Sequence, residues 1–308
     1  ALPIFAFAFA HGSTANIQIF PDTSALKKIL AEQRIDVIHL HEPLMPGINW
    51  WLLRHTPNIP KIGTFHAYHP FNLRYFLGRP FLKNLFNKLT TYVAVSDAAK
   101  HNIAQFFKAN YQIIPNAIAI PAEIPASTPR QGLLFLGRFE PRKGLDVLLQ
   151  AFNLMEDSSL NLYVIGRGDD KPYKKLISAS HQARVHFLGG VDDATLKQYF
   201  ERCQIFISPA RGYESFGIVL IQALSHGLPV IASDIPGYRD VLGENGGGVL
   251  VPKNNPKLLA AAIEKLLANP QELKHMAKSA YVRAQSFDIQ VTALAYSDNY
   301  KRIKNVLR

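Results

Sequence analysis

A basic loop near the middle of the chain has the residue types that bind phosphate. Residues 133–136 have the apolar composition of a buried strand, and residues 137–144 follow them with three cations, Arg138, Arg142 and Lys143. Arginine binds phosphate oxygens through paired hydrogen bonds and lysine binds them as a point charge. Three such cations at the end of one strand suit a diphosphate, although a solvated basic loop is the simpler interpretation of this segment alone.

A second segment combines an anion-binding helix start with a carboxylate. Residues 205–208 are predicted to form a strand, residues 209–217 form a loop that contains Glu214, and a helix follows. The free N–H groups of a first helical turn bind anions. Glu214 could cap this helix, or it could accept hydrogen bonds from the hydroxyl groups of a bound sugar.

Histidines are found at two further predicted strands. His66 comes directly after the strand at residues 61–65, and His39 and His41 alternate along the strand at residues 36–41 and therefore share a face. A histidine at the end of a strand can orient a substrate or share charge. A His-x-His-Glu cluster of this kind could also form part of a metal site.

The elements that must position these residues alternate between short apolar runs and amphipathic stretches, which predicts βαβ units with parallel sheets. Open sheets of this class bind ligands at the carboxyl ends of their strands, where these loops lie. The strands are predicted at residues 36–41, 61–65, 92–96, 112–115, 133–136, 161–165, 185–188, 205–208, 229–232 and 248–251. The helices are predicted at residues 24–33, 144–156, 194–202, 217–226, 256–267 and 271–286.

Residues 120–130 contain three prolines among small residues, which indicates a linker between two α/β domains. We expect an N-terminal domain at residues 1–125 and a C-terminal domain at residues 126–286. We expect residues 287–308 to form a final helix that packs back on the N-terminal domain.

The composition limits the class of protein. The 308 residues are 48% hydrophobic, so the chain can bury a core and is not a disordered tail. The net charge of +11 indicates an anionic partner, which could be a phosphate-bearing ligand, a nucleic acid or an acidic membrane. The single cysteine, Cys203, excludes an internal disulfide framework and fits a reducing cytosol. The apolar run at residues 1–10 is too short to cross a bilayer and lacks the basic residues of a signal peptide, so we expect a buried strand.

Taken in order along the whole chain, these motifs resemble those of the retaining GT-B glycosyltransferases of family 4, and most closely the bacterial phosphatidylinositol mannosyltransferases. The motifs that resemble the wider family are LGRFEPRKGL (136–145), VIGRGDD (164–170), FLGGVDDA (187–194), YESFGIVLIQAL (213–224), GLPVIASDIPGYRDV (227–241) and GGGVLVP (246–252). Those that resemble the narrower group are HLHEPLMPG (39–47), TFHAYH (64–69), AVSDAA (94–99) and IIPNAI (113–118). The resemblance implies a GT-B fold, with two Rossmann-like α/β/α domains facing a crevice.

The resemblance also implies a nucleotide-sugar donor bound mainly by the C-terminal domain. Arg138 and Lys143 would bind the donor diphosphate in place of a divalent metal, and Glu214 would contact the donor sugar. His66 would lie near the transferred sugar. The catalytic residues so implied are His66, Glu214, Arg138 and Lys143. The other donor-binding residues so implied are Gly137, Gly189, Gly190, Val191, Ser215, Phe216, Gly217, Ile218 and Gln222.

The chain departs from the family pattern in two places. The second glutamate of the family's Glu-x7-Glu motif is Gln222 here, which can accept a hydrogen bond from a ribose hydroxyl but carries no charge, so we expect weaker donor binding. The first strand and Gly-rich loop of the family have no counterpart ahead of Ala1, so we expect a fragment that is inactive or unstable in its first domain. The family needs no metal or other cofactor, so the resemblance argues against a metal site at the His-x-His-Glu cluster. Glu42 and Pro43 are interpreted instead as a turn near the acceptor pocket.

Residues 43–96 contain no Asp or Glu, but they contain both tryptophans and many other aromatic residues. Basic residues interleaved with aromatic ones suit an anionic membrane interface, although a buried apolar helix or a nucleic-acid surface are alternatives. We expect membrane binding, because the lipid acceptor that the resemblance implies must be reached at the bilayer. We do not expect nucleic-acid binding, because no recognition motif accompanies the charge. The residues expected at the membrane are Arg74, Arg79, Lys83 and Lys88.

Together these features predict a retaining enzyme that transfers mannose from GDP-mannose to a phosphatidylinositol-type lipid, from the cytoplasmic side of the plasma membrane. A UDP-sugar donor or another acceptor is a close alternative. A remnant that only binds nucleotide or membrane is an alternative of a different class. Gln222 and the expected truncation favour this alternative, whereas the implied catalytic residues argue against it. An NAD-dependent Rossmann enzyme lacks support, because Gly166-Arg167-Gly168 does not continue as Gly-x-Gly-x-x-Gly.

Overall fold

The structure is a computed structural model that describes residues 5–10, 13–18, 22–68, 73–124, 130–244 and 247–306, with backbone alone at 5–10, 13–18, 73–74 and 305–306. The strands, numbered in chain order, are β1 (Phe5–Ala10), β2 (Ser13–Gln18), β3 (Ile38–His41), β4 (Lys61–Phe65), β5 (Thr91–Ala94), β6 (Tyr111–Ile113), β7 (Leu133–Leu136), β8 (Leu162–Ile165), β9 (Val185–Gly189), β10 (Ile205–Ser208), β11 (Val230–Ser233) and β12 (Gly248–Val251). The helices are α1 (Ser24–Glu32), α2 (Ile48–His55), α3 (Leu73–Phe86), α4 (Asp97–Ala104), α5 (Leu145–Phe152), α6 (Lys171–Lys174), α7 (Asp193–Arg202), α8 (Ile218–Ser225), α9 (Pro236–Leu242), α10 (Pro256–Leu267), α11 (Pro270–Gln285) and α12 (Ile289–Val306).

The chain divides into two compact units. Unit 1 consists of Ala1–Pro115 together with Thr292–Arg308, and unit 2 consists of Asn116–Val291. The chain therefore leaves unit 1, forms all of unit 2 and returns to unit 1 along α12.

The sheet of unit 2 is fully parallel, in the order β9-β8-β7-β10-β11-β12. Numbered along the chain within this unit, the order is 3-2-1-4-5-6, which is that of doubly wound nucleotide-binding folds. Strands β10 and β11 are buried along their whole length. Continuous apolar runs are expected there, because helices cover both faces of a parallel sheet.

Helix α5 is shorter than the sequence predicts. It ends at Phe152, four residues before the predicted end. The side chain of Asn153 bonds the Leu176 carbonyl at 2.7 Å and accepts from the Ser178 N–H at 3.0 Å, so the chain turns away at this point.

Unit 1 contains a second parallel sheet, in the order β3-β4-β5-β6. A large apolar cluster that includes Phe65 and Phe86 packs between this sheet and its helices. A smaller cluster joins Ile62 and Val93 of the sheet to Ile303 of α12. The last helix therefore contributes directly to the core of unit 1.

The strand predicted within residues 1–10 is found as β1, but it does not join the parallel sheet. It pairs antiparallel with β2 in a two-stranded sheet, and β2 was not predicted, because its sequence STANIQ is largely polar. The burial expected for residues 1–10 lies outside the described residues, as do residues 125–129 of the predicted linker.

Candidate active site

The carboxyl ends of β7 and β10 lie side by side at the centre of the unit 2 sheet. Strand β7 pairs with β8 on one side and with β10 on the other, so the connections that follow them wind in opposite directions. A crevice opens at such a switch point, and ligands of open α/β sheets bind there. Both predicted loops, residues 137–144 and 209–217, begin at this point.

The two loops touch through their backbones. Gly144 has a φ of +70°, and a side chain at this position would overlap the carbonyl oxygen of Pro209, so only glycine fits. The Arg211 N–H donates to the Arg142 carbonyl at 2.8 Å, and the Arg211 guanidinium pairs with Asp146. These contacts hold the two loops as one continuous surface.

Five charged side chains of alternating sign lie across the two loops. Glu214 Oε1 is 2.5 Å from Arg142 Nη1 and 2.7 Å from Lys143 Nζ. Glu140 lies 2.9 Å from Arg142 and 2.9 Å from Arg138. The Arg138 side chain is 48% exposed, whereas the other four are 12–15% exposed. The fold thus brings three residues predicted from the sequence, Arg138, Lys143 and Glu214, into one cluster.

Glu214 does not cap α8, so that interpretation of the residue is wrong. The N-cap of α8 is Gly217, with a φ of +104°, and the Glu214 carboxylate faces the cations of the other loop instead. The main chain of Glu214 is fixed by Gly237, where any side chain would overlap the Glu214 carbonyl oxygen. The loop is therefore shaped to present this carboxylate to the basic loop.

The other residues predicted on this loop form the approach to α8. Phe216 is buried and packs edge-on against Phe287, with 5.5 Å between ring centroids, while Ser215 is partly buried. Ile218 is 48% exposed, and Gln222 lies one turn further along α8 and is partly buried.

The glycines predicted to hold a base lie at the carboxyl end of β9. Gly189 and Gly190 are exposed, and Val191 is partly buried. Gly189 is tied to the neighbouring strand end, because its carbonyl accepts from the Gly166 N–H at 2.9 Å. Gly137 is held in the same way to the end of β8, since its N–H donates to the carbonyl of residue 165 at 3.0 Å.

In unit 1, three histidines lie together at the carboxyl ends of β3 and β4. The rings of His39 and His41 are stacked, with centroids 4.5 Å apart, and His41 Nδ1 is 2.7 Å from His66 Nε2. Burial, followed by the nearby His41, lowers the pKa of His39 and of His66 to about 4 each. Both rings are therefore neutral at pH 7. Among the described residues, no group of three or more His, Cys, Asp or Glu side chains is arranged to hold a metal ion.

Two tyrosines of α12 complete this cluster and were not predicted. Tyr300 is 2.8 Å from His39 Nδ1, and Tyr296 is 3.2 Å from Thr64 Oγ1, which in turn is 2.7 Å from His39 Nε2. Their i, i+4 spacing places both on one helix face, which is the only sign of this role in the sequence.

The basic aromatic stretch includes α3. Its side chains Arg79 and Lys83 are exposed, as is Lys88 just after it, while the side chain of Arg74 lies outside the described residues. No helix among the described residues is long and apolar enough to cross a bilayer.

Comparison with known families settles the class of protein. Residues 118–283, more than half of the chain, match the family model "Glycosyl transferases group 1". The chain belongs to the group 1 glycosyl transferases. Residues 3–120 match the model "Glycosyltransferase Family 4". The prediction of a family 4 glycosyltransferase is confirmed.

Curated relatives of this glycosyltransferase extend over most of its length. A phosphatidyl-myo-inositol mannosyltransferase of Mycobacterium leprae is 35% identical over 269 residues, which cover 84% of this chain and 71% of the relative. A protein of the same name from Mycolicibacterium smegmatis is 31% identical over 303 residues, which cover 95% and 78%.

Solved structures confirm the GT-B fold of this glycosyltransferase. Sucrose-phosphate synthase from Thermosynechococcus elongatus has a TM-score of 0.78 at 22% identity, with 92% of this chain and 77% of that chain covered. Anabaena HepE in complex with UDP has a TM-score of 0.75 at 19% identity, with 90% and 81% covered.

Proposed function

We propose that this glycosyltransferase transfers a mannosyl residue from GDP-mannose to a phosphatidylinositol-type lipid, with retention of the anomeric configuration. The observation that carries the proposal is the contact of Glu214 with Arg142 and Lys143 at the switch point of unit 2. The names of the curated relatives support the choice of mannose and of the lipid acceptor.

The cluster has the groups that departure of a nucleoside diphosphate requires. Arg138, Arg142 and Lys143 would bind the diphosphate oxygens and stabilise the negative charge that develops on them, with no divalent metal. A diphosphate would give Lys143 and Arg142 alternative anionic partners. Glu214 would then accept hydrogen bonds from the hydroxyl groups of the donor sugar.

The nucleoside would lie further along the same edge of the sheet. Main-chain groups of residues 189–191 would hold the base, and Gln222 would accept one hydrogen bond from the ribose. Because main-chain contacts discriminate little between bases, a UDP-sugar is the second candidate donor, and the solved HepE complex contains UDP.

The acceptor side of the proposal is built on unit 1. The neutral His66 would contact the transferred sugar and orient it. The α3 surface, defined as the exposed side chains Phe76, Leu77, Arg79, Phe81 and Lys83, would meet anionic lipid on the cytoplasmic face of the membrane. Acidic residues are absent from residues 43–96, so nothing in this segment would repel such a surface.

The test is a donor panel with vesicles that contain phosphatidylinositol. GDP-mannose, GDP-glucose, UDP-glucose and UDP-N-acetylglucosamine are supplied in turn, and release of nucleoside diphosphate and labelled lipid product are both measured. We expect turnover with GDP-mannose, an α-linked product by NMR and no loss of rate in EDTA. Clear turnover with a UDP-sugar and none with GDP-mannose would overturn the choice of donor.

Variants locate the reaction at the proposed site. Glu214→Gln and Lys143→Met are expected to lower kcat/KM by on the order of 100-fold, as for loss of one group that stabilises transition-state charge. Lys197→Met, at a lysine of the same unit whose side chain is 61% exposed, is the matched control. Unchanged rates in both site variants would show that the donor binds elsewhere. Nucleotide binding without turnover of any donor would favour a non-catalytic remnant.

A further inference from the structure

Glu42 joins the ends of two neighbouring strands of unit 1. Its N–H donates to the Thr64 carbonyl at 2.8 Å, which continues the pairing of β3 with β4 by one residue. Its carboxylate oxygen Oε1 accepts from the N–H groups of His66 and Ala67, both at 2.6 Å. The Glu42 side chain, at the end of β3, therefore binds the main chain that follows β4, including the main chain of His66.

The backbone of Glu42 is held in an unusual conformation. Its φ is +50°, in the left-handed region that side chains other than glycine rarely adopt. Its carbonyl accepts from the Met45 N–H and from Asn49 Nδ2, both at 2.9 Å, and these two bonds maintain the conformation. Strain of this kind persists where the surrounding structure imposes it, and it is concentrated at functional sites.

The partly buried carboxyl group of Glu42 suits this role. Burial raises the pKa of Glu42, and the N–H groups of His66 and Ala67 act in the opposite direction because they favour the carboxylate. Both N–H groups donate to the same oxygen, Oε1, so this one side chain fixes the main chain at residues 66 and 67 together. The ring of His66 is held separately, at 2.7 Å, by His41.

We propose that Glu42 is a positioning residue for His66, which it holds by its main chain so that the imidazole is delivered in one orientation to the transferred sugar. The proposal rests on the proposed function for the role of His66 in transfer. If Glu42 had a purely structural role, its replacement would lower the stability of the protein. It would then lower kcat equally whether or not the His66 ring is present.

The first test uses NMR and needs no substrate. In Glu42→Ala, the amide protons of residues 66 and 67 should move upfield, and the ring signals of His66 should shift or broaden. Glu42→Gln keeps an oxygen acceptor and should restore most of both signals. Glu32→Gln, at an exposed carboxylate of the same unit, should leave them unchanged. Unmoved His66 signals in a folded Glu42→Ala protein would overturn the proposal.

The second test is a double-mutant cycle on the rate of transfer. Glu42→Ala should lower kcat by on the order of 10- to 100-fold, as expected when a reacting group is displaced by about 1 Å, with the dissociation constant for nucleoside diphosphate unchanged. In a His66→Ala background the same substitution should change kcat less than about 2-fold. Equal losses in both backgrounds would overturn the proposal.

Should no donor be turned over, the proposed function fails, while the NMR test still decides whether Glu42 positions His66. Should Glu42→Ala not fold, Glu42→Asp, which draws the carboxylate back by one methylene, replaces it.

Discussion

Arg142 contacts both acidic side chains of the proposed donor site. It lies between Glu140 and Glu214, with 13% of its side chain exposed, and it binds each at 2.5–2.9 Å. The sequence shows Arg142 as one of three cations in a loop and gives no sign that its partner would come from position 214, 72 residues away.

Replacement of Arg142 measures separately what this side chain contributes to the stability of the fold and to the binding of the nucleotide. In Arg142→Met, Glu140 keeps Arg138 and Glu214 keeps Lys143, so we expect a folded protein with an unfolding free energy lower by about 2 kcal/mol. We expect the Kd for GDP to rise about 10-fold, because one charged contact to phosphate is lost. Urea unfolding and calorimetry measure the two quantities, with Lys197→Met as the control. Unchanged GDP binding would place the diphosphate away from Arg142.

The histidine cluster predicts how the stability of unit 1 depends on pH. Because the pKa of His39 is about 4 in the folded chain and near 6.5 when unfolded, the unfolded chain binds more protons between these values. The stability contributed by neutral His39 is therefore complete above pH 6.5 and is lost as the pH falls toward 4. We expect urea midpoints of His39→Gln to fall less steeply over this range than those of the unsubstituted chain. Parallel pH profiles of the two proteins would contradict the assignment of this pH dependence to His39.

Sequence alone accounts for part of the site, for physical reasons. The loops at 137–144 and 209–217 were predictable, because apolar runs mark the strands before them and a parallel sheet brings strand ends together. The shared face of His39 and His41 followed from the two-residue repeat of a strand. The contacts of Glu214 depend on rotamers and on two close backbone approaches, which no local pattern encodes.

At the scale of elements, helix α3 separates its apolar residues between two environments. Leu82 and Leu85 are buried in unit 1, whereas Phe76 and Leu77 are 60% and 69% exposed. Such a distribution explains why the sequence could be interpreted either as a buried helix or as a membrane surface, since α3 has the features of both.

Removal of charge from the α3 surface should weaken binding to anionic vesicles. Each basic residue near such a membrane contributes about 1 kcal/mol, so Arg79→Gln with Lys83→Gln should weaken partitioning roughly 30-fold. Lys28→Gln with Lys197→Gln removes two exposed charges elsewhere and is the matched control. Vesicle sedimentation at low and high salt measures the effect. Equal binding to neutral and anionic vesicles, or an equal loss of binding in the control variant, would contradict the proposed membrane surface.

At the scale of the whole molecule, unit 1 is built from two separated parts of the chain. Ile303 is 4% exposed and packs in one cluster with Ile62 and Val93 of the sheet and with Ile114, which directly follows β6. The core of unit 1 is therefore incomplete without the last helix.

A cavity at Ile303 should destabilise unit 1 in particular. Ile303→Ala is expected to lower the unfolding free energy by about 3 kcal/mol. Both tryptophans, Trp50 and Trp51, lie in unit 1, so tryptophan fluorescence in urea reports on this unit alone. Leu294→Ala, at a side chain of the same helix that is 66% exposed, should leave the midpoint almost unchanged. Equal shifts in the two variants would show that Ile303 adds nothing to the core.

The return of α12 to unit 1 also has a consequence for synthesis on the ribosome. Every residue of unit 2 is made after β6 and before Ile303, which at about 5–20 residues per second takes roughly 10–35 s. During that interval the nascent chain exposes the apolar face of the unit 1 sheet that Ile303 covers at the end. Chaperones that bind nascent apolar segments would therefore engage the first unit for longer than the second, although the first is translated earlier.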